Sequence, residues 1–320
     1  MNNGEIIDLC SSDSSILLIE TIYTYVSKRN ISYDLYIEDL ESLKVHEEDE
    51  TKSYLTQGLI DFYLNFLIDN LPFCNLYYIA NSFLYTKLEE HIDDFNEYIF
   101  LPKYINIIHY NYFIIPIVKN SHWSMVIIEG LNIYSENNKI SLEDLIDKIK
   151  IYYFDSVIQE KTIVNYRINF HLIFKLIIKE YNKNNIIKKD LNNTKLYDKF
   201  NVIILNLKKQ KNRYDCGIFL IYYFENFLLN HKNFEENIDD LNKWFVVEDK
   251  RKMLYEIIIE LININSFYLG ENLERDLKEK EYIKELNKKG IEEKYLRYED
   301  ENEAKENCIK DYIKGLIKIK

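Results

Sequence analysis

Four polar residues at the ends of apolar runs are of types that together support nucleophilic catalysis. Cys216 precedes the apolar run IFLIYYFENFLL, His122 opens the run WSMVIIE, and Asp155 closes the run IKIYYF. Gln210 precedes the cysteine by six residues. A thiolate can attack a carbonyl, an imidazole can move the proton, and a carboxylate can orient the imidazole. A glutamine amide can donate a hydrogen bond to a developing oxyanion.

The position of Cys216 favours its reactive form. The apolar run after it predicts a buried helix, and the unpaired N–H groups at a helix start favour negative charge. Gly217 would leave the backbone beside the sulfur open to a substrate. Taken singly, a cysteine here is usually a small core residue, and His122 and Asp155 are usually turn residues. Their joint occurrence with Gln210, each at the end of a predicted element, favours a catalytic interpretation.

The elements that would position these residues form an α+β architecture. Two β-rich runs, at 112–118 and 123–129, are separated by a short polar stretch and predict a hairpin. Further strands are expected at 149–154 and 200–205, with a helix from about Thr162 to Tyr181 between them. An earlier helix is expected within 58–70, with one apolar face formed by Leu59, Ile60, Tyr63, Leu64, Leu67 and Ile68. Helices would therefore flank a mixed sheet.

Composition divides the chain into three parts. Residues 1–30 have little helical periodicity and predict a flexible N-terminal segment, residues 31–264 alternate strands and helices, and residues 265–320 are rich in Glu and Lys and predict a charged helical tail. The formal net charge of −12 disfavours nucleic acid as a main ligand.

The sequence lacks patterns that would predict a metal site, a membrane-spanning helix or a secretory signal. The four cysteines lack the paired spacing of a zinc site, so neither a metal nor another cofactor is expected, and a reduced intracellular protein is the default. No apolar run reaches the roughly 18 residues of a membrane span. The first residues do not resemble a secretory signal.

Around the four polar residues the sequence resembles the ubiquitin-like protein-specific proteases, also called sentrin- or SUMO-specific proteases. Three segments are similar to the HW…DS…QxNxxDCG signature of that family: His122-Trp123, Tyr153-Phe154-Asp155-Ser156 and Gln210-Lys211-Asn212-Arg213-Tyr214-Asp215-Cys216-Gly217. Weaker similarity is found at 53–67, at 81–88 and from Val247 to Met253. The resemblance covers roughly residues 35–264.

The resemblance implies a papain-like thiol protease that cuts after the terminal Gly-Gly of a SUMO-type modifier through an acyl-enzyme. Cys216 would be the nucleophile, His122 the general base and then acid, Asp155 its orienter, and Gln210 part of the oxyanion hole. Trp123 would roof a narrow channel for the Gly-Gly tail. Asp215 and Gly217 are expected to be structural.

Two positions depart from the family pattern. Tyr54 and Gln57 stand where the family usually has Trp and Asp. Tyr54 could still wall the glycine channel, whereas Gln57 cannot pair ionically with an arginine of the modifier. The stretch from Leu131 to Lys148 is also long, and a surface insertion near the substrate is expected there.

A separate motif lies near the N-terminus. Ile6, Ile7 and Leu9, followed by the run CSSDSS, resemble a SUMO-interacting motif, in which a short aliphatic strand adds to the edge of the modifier's sheet. The competing interpretation is an ordinary strand followed by a Ser-rich loop.

The partners implied are a SUMO-type modifier and its conjugated proteins, with a nuclear or nuclear-envelope location by resemblance only. Three alternatives remain: a protease for another ubiquitin-like modifier, a catalytically inactive SUMO-binding protein, and a general peptidase with a broad cleft. The complete set of four catalytic residue types argues against the second, and Trp123 argues against the third.

Overall fold

A five-stranded mixed sheet forms the centre of the protein, for which a computed structural model describes residues 21–71, 74–133, 140–157, 168–183, 189–191, 194–230 and 247–269. The strand order is β3-β4-β5-β6-β7, and β1 and β2 form a separate two-stranded sheet. The strands are β1 Thr21–Val26, β2 Ser32–Tyr36, β3 Tyr77–Ile79, β4 Tyr112–Lys119, β5 His122–Glu129, β6 Lys150–Asp155 and β7 Val202–Ile204.

Eight α-helices and four short 3₁₀ helices accompany the strands in the described residues. The α-helices are α1 Ile37–Glu41, α2 Gln57–Asp69, α3 Leu84–Glu90, α4 Leu142–Lys148, α5 Phe170–Lys183, α6 Thr194–Tyr197, α7 Cys216–Asn230 and α8 Val247–Leu269. The 3₁₀ helices are Glu50–Ser53, Cys74–Leu76, Ile107–His109 and Leu131–Ile133.

Each face of the central sheet is covered by its own hydrophobic core. Because side chains alternate along a strand, Met125 and Ile127 of β5 face one core, and Val126 and Ile128 face the other. The first core is completed by α2, α7 and α8, and the second by α3, α4 and α5. The expected α+β fold, with a mixed sheet flanked by helices, is confirmed. So is the burial of the helix that begins at Cys216.

The predicted hairpin is present and is closed by a two-residue turn. β4 pairs antiparallel with β5 from Tyr112↔Glu129 to Lys119↔His122. Asn120 and Ser121 between them have φ values of 52° and 55°. Positive φ at both turn residues matches the right-handed twist of the strands, so the turn ends the hairpin tightly and places His122 at the tip of β5.

Three sequence-based expectations change. The helix predicted within 58–70 is buried on all sides rather than on one face, and includes buried Asp61, Asn65 and Asp69. The hairpin of β1 and β2 begins at Thr21, before the boundary set at residue 31, because Tyr23 packs into the first core. At the other end, α8 continues to Leu269, five residues past the boundary set at 264.

Within the stretch 131–148, the described residues 131–133 and 140–148 do not form a surface insertion near the site. Leu142, Leu145 and Ile146 of α4 are fully buried in the second core. The helix leads into the first residue of β6, whereas Asp155 is the last residue of that strand. The difference has a local cause, because Leu142, Leu145 and Ile146 recur at helical spacing and form one buried face.

The helix predicted from about Thr162 to Tyr181 is present as α5, Phe170–Lys183, and the residues before 168 are outside the described part. The tail from 270 onward and the N-terminal segment up to residue 20 also lie outside it. Within the described chain, no helix combines the length and apolar character needed to cross a membrane.

A buried ion pair joins the last helix to the start of α7. Arg251 on α8 bonds to Asp215 through Nε and Nη2, at 3.1 and 2.8 Å. Its Nη1 also donates to the Ser42 carbonyl at 2.9 Å, and Nη2 to the Ser53 carbonyl at 3.0 Å. Asp215 and Arg251 are both buried, so this cation ties three distant chain segments together in a low-dielectric environment.

Arg251→Met is expected to destabilise the fold by about 3 kcal/mol or more, because it leaves the Asp215 carboxylate buried without its main counter-charge. The measurement is the free energy of unfolding from urea denaturation. Lys252→Met is the matched control, since Lys252 is 76% exposed and pairs only loosely with Glu256 at 3.8 Å. It should change stability by less than about 0.5 kcal/mol. Equal losses of unfolding free energy in the two variants would show that the buried ion pair contributes no more to stability than the exposed one.

Candidate active site

The structure brings His122 between Asp155 and Cys216. The Nε2 atom of His122 lies 3.0 Å from Asp155 Oδ1. The imidazole also hydrogen bonds with the Cys216 side chain. Because Nε2 is taken by the carboxylate, Nδ1 is the ring atom left for the sulfur. The geometry is that of a nucleophile, a base and an orienter in a row.

Strand pairing explains how His122 and Asp155 meet. Asp155 is paired with Ser124 across β5 and β6, so His122, two residues before Ser124, lies diagonally from Asp155 on the same face. Tyr153 shares that face, and its hydroxyl donates to Asp155 Oδ2 at 2.8 Å. The Val157 N–H donates to Asp155 Oδ1 at 2.7 Å. The carboxylate is therefore held rigidly behind the imidazole.

The charges of the pair favour an imidazolium. Burial disfavours the charged form of His122. Its hydrogen bonds to Asp155 and Cys216, together with the negative charge of the Asp155 carboxylate, outweigh that effect and raise the pKa of His122 to about 9. For Asp155, burial would raise the pKa, but the bonds from His122, Val157 and Tyr153 hold the pKa of the carboxyl below its usual range.

Cys216 is the first residue of α7 and is 1% exposed. The Asp215 carbonyl accepts the Phe219 N–H at 3.0 Å, which makes Asp215 the N-cap residue of the helix. Before it, Asn212 Oδ1 accepts the N–H groups of Tyr214 and Asp215, at 3.3 and 3.0 Å. This Asx-type turn fixes the loop that delivers the cysteine to the helix start.

Gln210 lies in the same loop and contacts the strand end that carries Asp155. Its backbone N–H donates to the Ser156 carbonyl at 3.0 Å, and its Oε1 accepts a bond from the Ser156 hydroxyl. Its Nε2 donates to the Asn212 carbonyl at 2.7 Å. Gln210 is half-buried, and these bonds fix its amide in the loop that leads to the cysteine.

Trp123 is buried beside the site and is fixed by its indole nitrogen. Nε1 donates to the Leu55 carbonyl at 2.9 Å. Leu55 lies between half-buried Tyr54 and the N-cap of α2, Thr56. The two aromatic residues expected to line a channel are thus linked through one backbone segment. Gln57, also half-buried, is the first residue of α2, whereas Ile6, Ile7 and Leu9 lie outside the described residues.

Gly217 permits the backbone segment of Leu55 to approach Cys216. A Cβ atom on Gly217 would lie 2.9 Å from Leu55 Cβ and 3.0 Å from its Cγ. The small residue is needed for contact with Leu55, rather than to leave the backbone open to a substrate. Its structural role, and that of Asp215 in the ion pair with Arg251, agree with expectation.

Three contributors to the site were not recognised from the sequence. Leu55 supplies a carbonyl and a packing surface, Ser156 holds the Gln210 amide, and Arg251 holds the residue before the nucleophile. The position of Ser156 directly after Asp155 was a usable signal, since a polar residue at a strand end can reach a neighbouring loop. No feature of the sequence near Leu55 or near Trp123 indicates that these two residues are in contact.

An NMR titration should identify His122 by a midpoint near 9. The resonance is assigned by its loss in His122→Ala, and Asp155→Asn should lower the midpoint because a neutral amide no longer favours the charged ring. The folded pKa is above the unfolded value of about 6.5. The contribution to stability is therefore present below pH ~6.5 and is lost as pH rises through about 9. A midpoint near 6.5 in the wild type would contradict this assignment.

Gly217→Ala should lower the free energy of unfolding by about 1–3 kcal/mol, because the added methyl overlaps Leu55. Gly58→Ala is the matched control, since the nearest atom to its added Cβ would be Asp39 Oδ1, at an ordinary contact distance of 3.4 Å. That substitution should be neutral or slightly stabilising in a helix. In a Leu55→Gly background, which removes Cβ together with the rest of the side chain, the cost of Gly217→Ala should shrink, and an unchanged cost would refute the contact.

A curated relative, "Probable ubiquitin-like-specific protease 2B" of Arabidopsis thaliana, is 24% identical over 240 residues, which cover 68% of this chain and 25% of the relative. The chain thus spans about a quarter of the length of that relative.

Two solved structures are also similar. One is titled as a de-sumoylating protease, with 17% identity, a TM-score of 0.49, and coverage of 77% of this chain and 96% of the other. The other is the C-terminal Ulp1 protease domain in complex with Smt3, the yeast ortholog of SUMO, with 19% identity, a TM-score of 0.43, and coverage of 74% and 86%.

Residues 53–261, more than half of the chain, match the family described as "Ulp1 protease family, C-terminal catalytic domain". This range includes all four predicted catalytic residues. The chain belongs to the Ulp1 family of cysteine proteases.

Proposed function

We propose that this protein is a thiol protease and isopeptidase that cleaves after the C-terminal Gly-Gly of a SUMO-type modifier. The observation that carries the proposal is the His122 imidazole, bonded on one side to Asp155 and on the other to Cys216 at the start of a buried helix. In this assignment Cys216 is the nucleophile, His122 the base and acid, Asp155 the orienter and Gln210 the oxyanion donor.

The reaction begins with attack of the Cys216 sulfur on the carbonyl carbon of the terminal glycine. The negative charge that develops on the carbonyl oxygen is stabilised by the Cys216 N–H and the Gln210 amide. The His122 imidazolium then donates its proton to the leaving amine, and the carbon–nitrogen bond breaks to give a thioester. His122 next takes a proton from water as the water oxygen attacks the thioester carbon. The carbon–sulfur bond then breaks, which releases the modifier with a free C-terminal carboxylate and restores the Cys216 sulfur.

The choice of a glycine tail is supported by the walls beside Cys216. Trp123 is immobilised by the Leu55 carbonyl, and Leu55 packs against Gly217 directly after the nucleophile. A channel bounded by Trp123 and Tyr54 would be narrow, and a side chain on the last substrate residues would clash with it. Glycine is the residue that fits such a passage.

The choice of modifier rests on the family and on the N-terminal motif of Ile6, Ile7 and Leu9. Gln57 at the start of α2 is neutral, so a modifier that lacks an arginine at the facing position would lose nothing here. For this reason a protease for a different ubiquitin-like modifier is the main alternative. A nuclear or nuclear-envelope location and conjugated proteins as partners belong to the same proposal.

The proposal can be tested with modifier probes that carry an electrophile at the C-terminus. The full chain is incubated with SUMO, ubiquitin and other modifier probes, and adducts are measured by mass spectrometry. A SUMO adduct is expected with the wild type and with Cys74→Ala, and none with Cys216→Ala. Cys74 is the matched control because it is the other cysteine in the described residues.

The alternatives give different results in the same experiment. An adduct with another modifier alone would keep the protease and change its substrate. Absence of every adduct, together with SUMO binding that depends on Ile6, Ile7 and Leu9, would replace the protease with a SUMO-binding protein. An adduct that survives Cys216→Ala would refute the assignment of the nucleophile.

A further inference from the structure

Ser156 is buried directly after the residue that orients the imidazole, and its hydroxyl contacts the Gln210 side chain. Ser156 is 1% exposed, and its Oγ bonds to Gln210 Oε1. Its carbonyl accepts the Gln210 N–H at 3.0 Å. Both ends of Gln210, backbone and side chain, are therefore bonded to this one serine.

The orientation of the Gln210 amide follows from its two side-chain partners. A carbonyl oxygen can only accept, so the amide group 2.7 Å from the Asn212 carbonyl must be the NH₂ group. The oxygen of the amide is then the atom that faces Ser156, and the serine hydroxyl must donate to it. Of the two amide hydrogens, Asn212 takes one within the described part of the chain, and the other is available for an oxyanion.

We propose that Ser156 is a positioning residue for catalysis, which holds the Gln210 amide with its NH₂ group toward the nucleophile loop. The inference rests on the proposed function, because it assigns a role within the same site. It makes the dipeptide Asp155-Ser156 the support of two groups: the carboxylate orients His122, and the hydroxyl orients Gln210. Loss of the hydroxyl would let the amide rotate, so that its NH₂ group no longer points in one direction.

Ser156→Ala is expected to lower kcat for cleavage of the modifier by about tenfold, less than the loss from deleting an oxyanion donor outright. KM should stay within about twofold, because ground-state binding does not use the oxyanion contact. Ser27→Ala is the matched control. Ser27 is 4% exposed, and its hydroxyl bonds to the Ile31 N–H in the hairpin of β1 and β2, remote from the site. It should not change kcat.

Two reagents separate positioning from general damage to the fold. A modifier ending in glycinal reacts with the Cys216 thiol to form a hemithioacetal: a carbon–sulfur bond forms, the carbonyl π bond opens, and the oxygen takes up the charge or proton. Iodoacetamide alkylates the same sulfur by displacing iodide, with no oxyanion. Ser156→Ala should weaken glycinal binding by about tenfold and leave the alkylation rate unchanged. Equal losses with both reagents would indicate a merely structural role.

A double-mutant cycle tests whether Ser156 acts through Gln210. In a Gln210→Ala background, Ser156→Ala should have little further effect on kcat, because the amide it orients is gone. Fully additive losses would overturn the proposal. If the wild type cleaves a modifier and Ser156→Ala cleaves it equally well, this inference fails alone. If the wild type neither cleaves any modifier nor binds a glycinal, the proposed function fails and this inference with it.

Discussion

The buried guanidinium of Arg251 fixes the relative positions of the chain segments that make the site. It bonds to Asp215, the residue before Cys216, and to the carbonyls of Ser42 and Ser53. Ser53 leads into the segment that carries Leu55, so one cation places the start of α7 and the wall of the proposed channel together. A planar group with several donors suits this task, because it can satisfy acceptors from different directions at once.

The ion pair also explains why the start of α7 is suited to a thiolate. An aspartate that begins a helix ordinarily turns its carboxylate onto the N–H groups of the first turn. In Asp215, Oδ1 is directed to Arg251 and Oδ2 to Asn212, at 2.8 and 2.6 Å. The positive end of the helix is thereby left to the group that follows, Cys216. Desolvation makes such pairs weak stabilisers, so their value here lies in geometry.

Four of the five strands of the central sheet, β4 to β7, could be predicted from the sequence because their signals are local, as are those of the candidate catalytic residues. Alternating apolar runs identified β4 and β5, and the helix after Cys216 was recognisable from its apolar composition. The contacts that hold these elements in place are not local: Arg251 and Ser42 are 209 residues apart. Neither residue carries a sign of its partner. Likewise the contact of Gly217 with Leu55 depends on how α2 packs against α7, which periodicity does not specify.

The charge state of His122 determines what the rest of the site must supply. With a pKa of about 9, the ring is protonated at neutral pH, so the proton needed by a leaving amine is present before a substrate arrives. In the proposed reaction, the protonated His122 held by Asp155 can therefore supply the proton that the leaving amine needs. What remains is direction: the imidazolium must face the leaving group and the Gln210 amide must face the oxyanion. In the proposed mechanism both directions depend on the end of β6, where Asp155 and Ser156 lie, so the rigidity of that strand end is the main structural demand of the proposed chemistry.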